Sequence, residues 1–336
     1  MARVIEDLNK AMHRLFSEEK SAYLIGEDIT DPYGGAFKVS KGLSTEFPNR
    51  VVTTPISEGG FMGVAAGLAI AGNKPIVEIM FGDFIALAFD QILNFISKSA
   101  TMYGKHKEMH LLVRCPIGGN RGYGATHSQS LQKHFIGIPN LNLFELTPFH
   151  DNYEVLSQML NASVPAIFFE NKTLYTKKKY ENGQVDDLFS YELIDNDHNN
   201  VRVSIDGMES TDNLIITPGG SFDICLSAAE QLFMEEEVTT QIIIPSKLYP
   251  FDIESIEYYI ENAHQIIIVE EGTAGGTWGT EVASVIYQKM WGKLKNRIKL
   301  VNSLNSIIPA SLHLEKQVLV QSENIYSAMK EEVCYV

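Results

Sequence analysis

A glutamate followed by two glycines opens the run Ile56-Ser57-Glu58-Gly59-Gly60-Phe61-Met62-Gly63-Val64-Ala65-Ala66-Gly67, directly after the apolar stretch Val51 to Pro55. Its carboxylate stands just beyond a predicted strand, the edge at which open parallel sheets bind ligands. Taken alone, Glu58 is accounted for by the helix macrodipole, which favours an acid in a first turn. Gly60, Gly63 and Gly67 recur at steps of three and four, so one helix face is bare enough for another backbone or a second subunit to approach. Further on, Phe81-Gly82-Asp83-Phe84 sets two rings near the same edge; core packing alone would explain them. The connection from Pro116 to Ser130 is long and carries Gly118, Gly119, Gly122 and Gly124. Long loops without structure of their own are often functional, and His127 is this loop's acid–base candidate.

A fourth passage, Glu270-Glu271-Gly272-Thr273-Ala274-Gly275-Gly276-Thr277-Trp278-Gly279, invites a dinucleotide reading, but its glycines miss the required offsets. No Walker sequence, nucleophile elbow or zinc helix is present, and the histidines are scattered. Cys115, Cys225 and Cys334 lack metal or disulfide spacing and read as reduced packing residues of a cytoplasmic protein. A formal charge of −15 disfavours nucleic acid and anionic membrane surfaces. The longest uncharged apolar run, Gly59 to Asn73, is too short and glycine-rich to span a bilayer.

These residues need a scaffold, and the 336-residue chain is long enough for about two domains. Ile5, Leu8, Met12 and Leu15 mark an amphipathic first helix. Strands are predicted at Ala22 to Gly26, Val51 to Pro55, Pro75 to Phe81, His110 to Cys115, Leu141 to Thr147 and Ala166 to Glu170. Helices fill the gaps at Gly60 to Ala71, Phe84 to Met102 and Asp151 to Ala162, the last capped by Asp151. Residues 1–175 therefore form one α/β domain with a mainly parallel sheet covered on both faces. Residues 176–212 are polar and irregular, from Lys177-Lys178-Lys179 to Asp195-Asn196-Asp197, and read as a surface linker. Residues 213–336 resume the alternation as a second α/β domain. Its strands are expected at Asn213 to Thr217, Thr240 to Pro245, Gln265 to Glu270 and Arg297 to Val301. Its helices are expected at Phe222 to Met234, Ile253 to Asn262, Thr280 to Met290 and Glu323 to Glu332.

Three ordered passages together carry a resemblance: Pro55 to Gly63, Phe81-Gly82-Asp83-Phe84 running into Ala88-Phe89-Asp90-Gln91-Ile92, and Thr126-His127-Ser128-Gln129-Ser130. With Gly26-Glu27-Asp28, Pro165 to Glu170 and Glu270-Glu271-Gly272, they resemble the beta subunit of the thiamine-diphosphate-dependent E1 component of 2-oxo acid dehydrogenases, over nearly the whole chain. The resemblance implies two doubly wound, mainly parallel-sheet domains: a transketolase-like pyrimidine-binding domain followed by a transketolase C-terminal-like domain.

It also implies roles. The carboxylate of Glu58, shielded by Gly59, Gly60 and Phe61, would share a proton with the pyrimidine N1′. Phe84 and Phe81, with Ile56, would hold the pyrimidine, and His127 would handle protons near the reacting carbon. The family's Gly-Asp-Gly motif for magnesium and diphosphate is absent here, so an alpha subunit would supply Mg2+ and diphosphate ligands within an alpha-two beta-two heterotetramer. The substrate would be a small 2-oxo acid and the acyl acceptor lipoamide on an E2 acyltransferase. Departures lie in the second domain, at Ile244-Pro245-Ser246-Lys247-Leu248-Tyr249-Pro250 and Asn305-Ser306-Ile307-Ile308-Pro309. They favour an alternative, the beta half of a split transketolase-like carboligase or acyltransferase with a non-lipoyl acceptor. A noncatalytic α/β subunit, with Glu58 and His127 as bystanders, is the third reading.

Overall fold

The computed structural model describes residues 2–102, 108–195, 199–208 and 211–330. Two units emerge from how the chain packs on itself: residues 1–117, 135–146 and 150–179 form the first, and residues 118–134, 147–149 and 180–336 the second.

In the first unit, α1 (Val4–Glu18) buries Val4, Leu8, Ala11, Met12, Leu15 and Phe16, the stripe its periodicity predicts. The strands β1 (Ala22–Gly26), β2 (Val51–Thr53), β3 (Lys74–Glu78), β4 (Leu112–Ile117), β5 (Asn142–Glu145) and β6 (Ala166–Asn171) lie in the order β5-β6-β4-β3-β1-β2. All neighbours are parallel, with Leu24 opposite both Val51 and Ile76, and Leu112 opposite Ile76 and Ala166. Strand side chains alternate between faces. Leu24, Ile76, Leu112, Phe144 and Phe168 pack in one cluster with α1 and α5 (Asn152–Asn161). Ile25, Val77, Val113, Leu143 and Ile167 are buried on the other face, where α3 (Glu58–Ile70) packs on β1 and β3. Asp151 caps α5 as expected, accepting from the N–H groups of Tyr153 and Glu154 at 2.8 and 3.1 Å. A short helix, α2 (Leu43–Glu46), went unpredicted.

The predicted helix over Phe84 to Met102 is three pieces: a 3-10 segment (Gly82–Ala88), a π segment (Gln91–Ile96) and α4 (Ser97–Met102). Three charged side chains cross the sheet interior. Arg114 on β4 donates through Nη1 to Glu78 on β3 at 2.6 Å and through Nε and Nη2 to Glu170 on β6 at 2.7 and 2.8 Å. Ser40 and Tyr175 donate to the two carboxylates, completing the network.

The second unit holds β7 (Phe189–Leu193), β8 (Asn200–Ile205), β9 (Asn213–Ile216), β10 (Thr240–Pro245), the short β11 (Lys247–Tyr249), β12 (Gln265–Thr273) and β13 (Lys299–Ser303). The sheet order is β13-β12-β9-β10-β8-β7; the first four strands are parallel, β8 runs antiparallel to β10, and β7 runs antiparallel to β8. Helices α6 (Phe222–Glu236) and α10 (Ser322–Lys330) pack over Val203, Ile215, Ile242 and Ile267. Against β12 lies α8 (Trp278–Met290), and α7 (Glu257–Asn262) and α9 (Leu312–Val318) complete the unit.

The segment expected to be an irregular linker carries the β7–β8 hairpin. Phe189, Val201 and Val203 are fully buried, apolar residues at alternate positions that the surrounding charge obscures. Cys115 and Cys225 are free and buried, burial pushing the Cys225 thiol up to about 12. Cys334, Asn196, Asp197 and the final residues of the helix expected at Glu323 to Glu332 lie outside the described residues. Among the described residues no helix is long and apolar enough to cross a membrane.

Candidate active site

In the first unit, the carboxyl ends of β1, β2 and β3 lead to Glu27, to Glu58 and to the Phe81–Phe84 passage. Glu58 is the first residue of α3 and only 5% exposed. Among the described residues no hydrogen bond links its carboxylate to another side chain. Glu27, immediately after β1, lies close enough for the Glu58 charge to act on it. Burial first, and then that charge, raise its carboxyl above the ordinary range, while it accepts from the Ser57 N–H. The other Glu27 oxygen is buried without a partner. The geometry thus gathers two carboxylates where the sequence singled out one. Glu27 was findable, because it occupies the same after-strand position that drew attention to Glu58.

Phe81 and Phe84 are half-buried, their ring centroids 6.4 Å apart and nearly perpendicular. Phe37 meets Phe81 edge-on at 5.4 Å, and the fully buried Lys172 places its ammonium 6.0 Å from the Phe81 centroid. Packing therefore fixes Phe81. The Gly82–Ala88 segment that carries Phe84 packs directly on α3. Ile56, by contrast, is 83% exposed.

The bare glycine face is partly used within the chain. A Cβ on Gly59 would lie 3.2 Å from the Leu87 carbonyl oxygen, and one on Gly63 would lie 3.4 Å from Gln91 Oε1. Only Gly67 on that face has open space within 4 Å. The 3-10 and π segments, which periodicity alone did not separate, therefore occupy part of the face expected for another subunit.

His127 belongs to the second unit. It is half-buried, with Nδ1 3.0 Å from Thr126 Oγ1. The same unit explains why the glycine passage after β12 holds no phosphate fingerprint. Glu270 accepts from the Gly279 N–H at 2.6 Å and from Thr277 and the Trp278 backbone, so the chain's own carboxylate fills the start of α8. Burial nevertheless holds the Glu270 carboxyl above its usual range.

The paired domains define a subunit of the transketolase type, a family that works with thiamine diphosphate. Residues 3–178 match the transketolase pyrimidine-binding domain and residues 203–325 the transketolase C-terminal domain. The chain belongs to the family of E1 beta subunits. It is 32% identical to the acetoin:2,6-dichlorophenolindophenol oxidoreductase subunit beta of Bacillus subtilis, covering 98% of each chain. It is 27% identical to the pyruvate dehydrogenase E1 component subunit beta of Leifsonia xyli, covering 99% of this chain and 95% of that one. In fold it matches a split-gene transketolase solved as an inactive beta4 tetramer, with TM-score 0.72, 18% identity and 98% of each chain covered.

Proposed function

We propose that this chain is the beta subunit of a thiamine-diphosphate-dependent E1 that decarboxylates a small 2-oxo acid and passes the acyl group to lipoamide, acting only with an alpha subunit. The observation that carries the reading is Glu58, a carboxylate 5% exposed at the first turn of α3, after a strand end, with no hydrogen bond to another described side chain. The bound cofactor would supply a nucleophilic C2 for the substrate carbonyl and a thiazolium ring that takes up the electron pair of the bond broken as carbon dioxide leaves.

This chain's residues would do the rest. Glu58 would hold a proton at the pyrimidine N1′, and the Glu27 carboxyl, raised by burial and by the Glu58 charge, is close enough to couple to it. Phe81, fixed by Phe37, and Phe84 would flank the pyrimidine, and the exposed Ile56 would present an apolar contact to it. His127 would move protons to and from the substrate. The alpha subunit would supply Mg2+ and diphosphate ligands in an alpha-two beta-two heterotetramer, and an E2 lipoyl acyltransferase would take the product.

A specific observation favours a second substrate class. The relative that shares 32% identity bears acetoin in its name, and the second-domain departures leave acceptor choice open. An α-hydroxy ketone would then replace the 2-oxo acid, or a non-lipoyl acceptor the lipoamide. The test is reconstitution with an alpha subunit carrying Gly-Asp-Gly, assayed with a panel of 2-oxo acids, acetoin and a free lipoyl domain. Acylation of the lipoyl domain from a 2-oxo acid is the expected result. Cleavage of acetoin alone, or carbon–carbon bond formation without acylation, would transfer the assignment to the second class. Tight, magnesium-dependent cofactor binding by this chain alone would overturn the split site.

A further inference from the structure

The loop from Gly118 to Ser130 is held by two acids far away in sequence, all within the second unit. Glu271, in β12, accepts from the Gly119 N–H at 2.9 Å and the Ser130 hydroxyl at 2.8 Å through Oε1, and from Asn120 Nδ2 at 3.1 Å through Oε2. It thus joins the two ends of the loop. Glu315, in α9, accepts from the Asn120 N–H at 3.0 Å through Oε1 and from the Gly122 N–H at 2.9 Å through Oε2, and is 0% exposed.

The backbone between these bonds is unusual. Asn120 and Gly122 both have positive φ, 62° and 69°, which turns their N–H groups toward one concavity of the kind that binds anions. The chain fills it with its own carboxylate. Contact is close as well, for a Cβ on Gly119 would lie 2.4 Å from Leu319 Cδ1. A loop of this length and composition would otherwise retain much backbone freedom.

We propose that Glu271 and Glu315 are positioning residues for His127: they fix the loop backbone so that the imidazole is presented in one place during turnover. This rests on the reading of His127 as the group that moves substrate protons. Both acids are bonded to the loop itself. Each acts through the loop, and a mispositioned acid–base group loses rate while cofactor activation at Glu58 continues.

The test uses the full chain, alone and reconstituted with an alpha subunit. Glu315→Ala and Glu315→Gln are compared with wild type by amide hydrogen exchange, by the His127 ring resonances in NMR, and by turnover. Exchange across 118–130 should accelerate roughly 10- to 100-fold in Glu315→Ala, the factor expected for losing hydrogen bonds to a charged acceptor, while β9 and β10 stay protected. The His127 resonances should shift, and kcat should fall with little change in KM or in proton exchange at the cofactor's C2. Added formate or acetate, entering the vacated concavity, should restore both loop protection and rate in Glu315→Ala. Should that variant fail to fold, Glu271→Gln, which keeps an acceptor for Ser130, carries the same measurements.

Unchanged loop exchange would overturn the clamp. A loosened loop with unmoved His127 resonances and normal turnover would overturn the positioning role. If His127→Ala itself turns over normally while Glu315→Ala loosens the loop, the catalytic reading of His127 fails and the proposal falls with it, although the clamp is real; the two failures are thereby told apart.

Discussion

Arg114 grips Glu170 with both Nε and Nη2, at 2.7 and 2.8 Å, in a place where the arginine is 1% and the glutamate 0% exposed. The pairing ties β4 to β6, and the third arginine bond, to Glu78, extends it to β3. Both glutamates thereby share one cation, and solvent cannot replace it. Changing Arg114→Met should cost about 3–5 kcal/mol, because it leaves buried carboxylates uncompensated. Urea unfolding of the isolated chain measures this; a loss below about 1 kcal/mol would mean that the network is relieved in another way.

Changing Glu58→Gln preserves shape while removing the carboxylate proposed to share the N1′ proton. Proton exchange at C2 of the bound cofactor should slow by roughly 100- to 10,000-fold in the reconstituted complex. Exchange at the wild-type rate would return Glu58 to the role of a helix-start acid.

Glu27 makes a prediction about pH. Burial and the neighbouring Glu58 charge raise its folded pKa above the ordinary value of 4.5, so the folded chain binds this proton more tightly than the unfolded chain does. The associated stability is fully present below that ordinary value and is lost as pH rises through the raised one. Glu27→Gln, which stays neutral and can still accept from Ser57, should therefore exceed wild type in Tm at pH 7 and lose that advantage near pH 4. Thermal melts across this range are the check, and a Tm difference that ignores pH would count against the buried-acid account.

His127→Ala should separate the two halves of the chemistry. C2 proton exchange should stay near the wild-type rate while acyl transfer falls by roughly 100-fold or more, since only the steps that use the imidazole lose stabilisation. Single-turnover acylation of a lipoyl domain reads the second step. Parallel loss of both activities would place His127 in cofactor activation instead.

Much of the scaffold was legible because apolar runs alternate with helix-length segments: Ala22 to Gly26 and Thr240 to Pro245 are strands with the predicted ends. Local pattern did less well where tertiary contacts decide. The π segment at Gln91–Ile96 shares its apolar spacing with an ordinary helix, and β7 and β8 hide among charged residues. For the site, strand ends pointed to Glu58 and Phe84 and could have pointed to Glu27. Glu315 could not have been found this way: it sits in a polar helix with no motif, and only folding brings its carboxylate to Asn120 and Gly122.

The division of the chain into three alternating stretches per unit limits how it can be cut or recombined. The second body takes in residues 118–134, which precede all of β5 and β6 in sequence. A truncation at residue 179 would keep those residues while discarding Glu271 and Glu315, so the remaining fragment would carry His127 on an unanchored loop. The unit of inheritance is consequently discontinuous. A chimera between relatives should exchange 118–134 together with 180–330, because a crossover at the apparent domain boundary parts a histidine loop from the carboxylates fitted to its backbone.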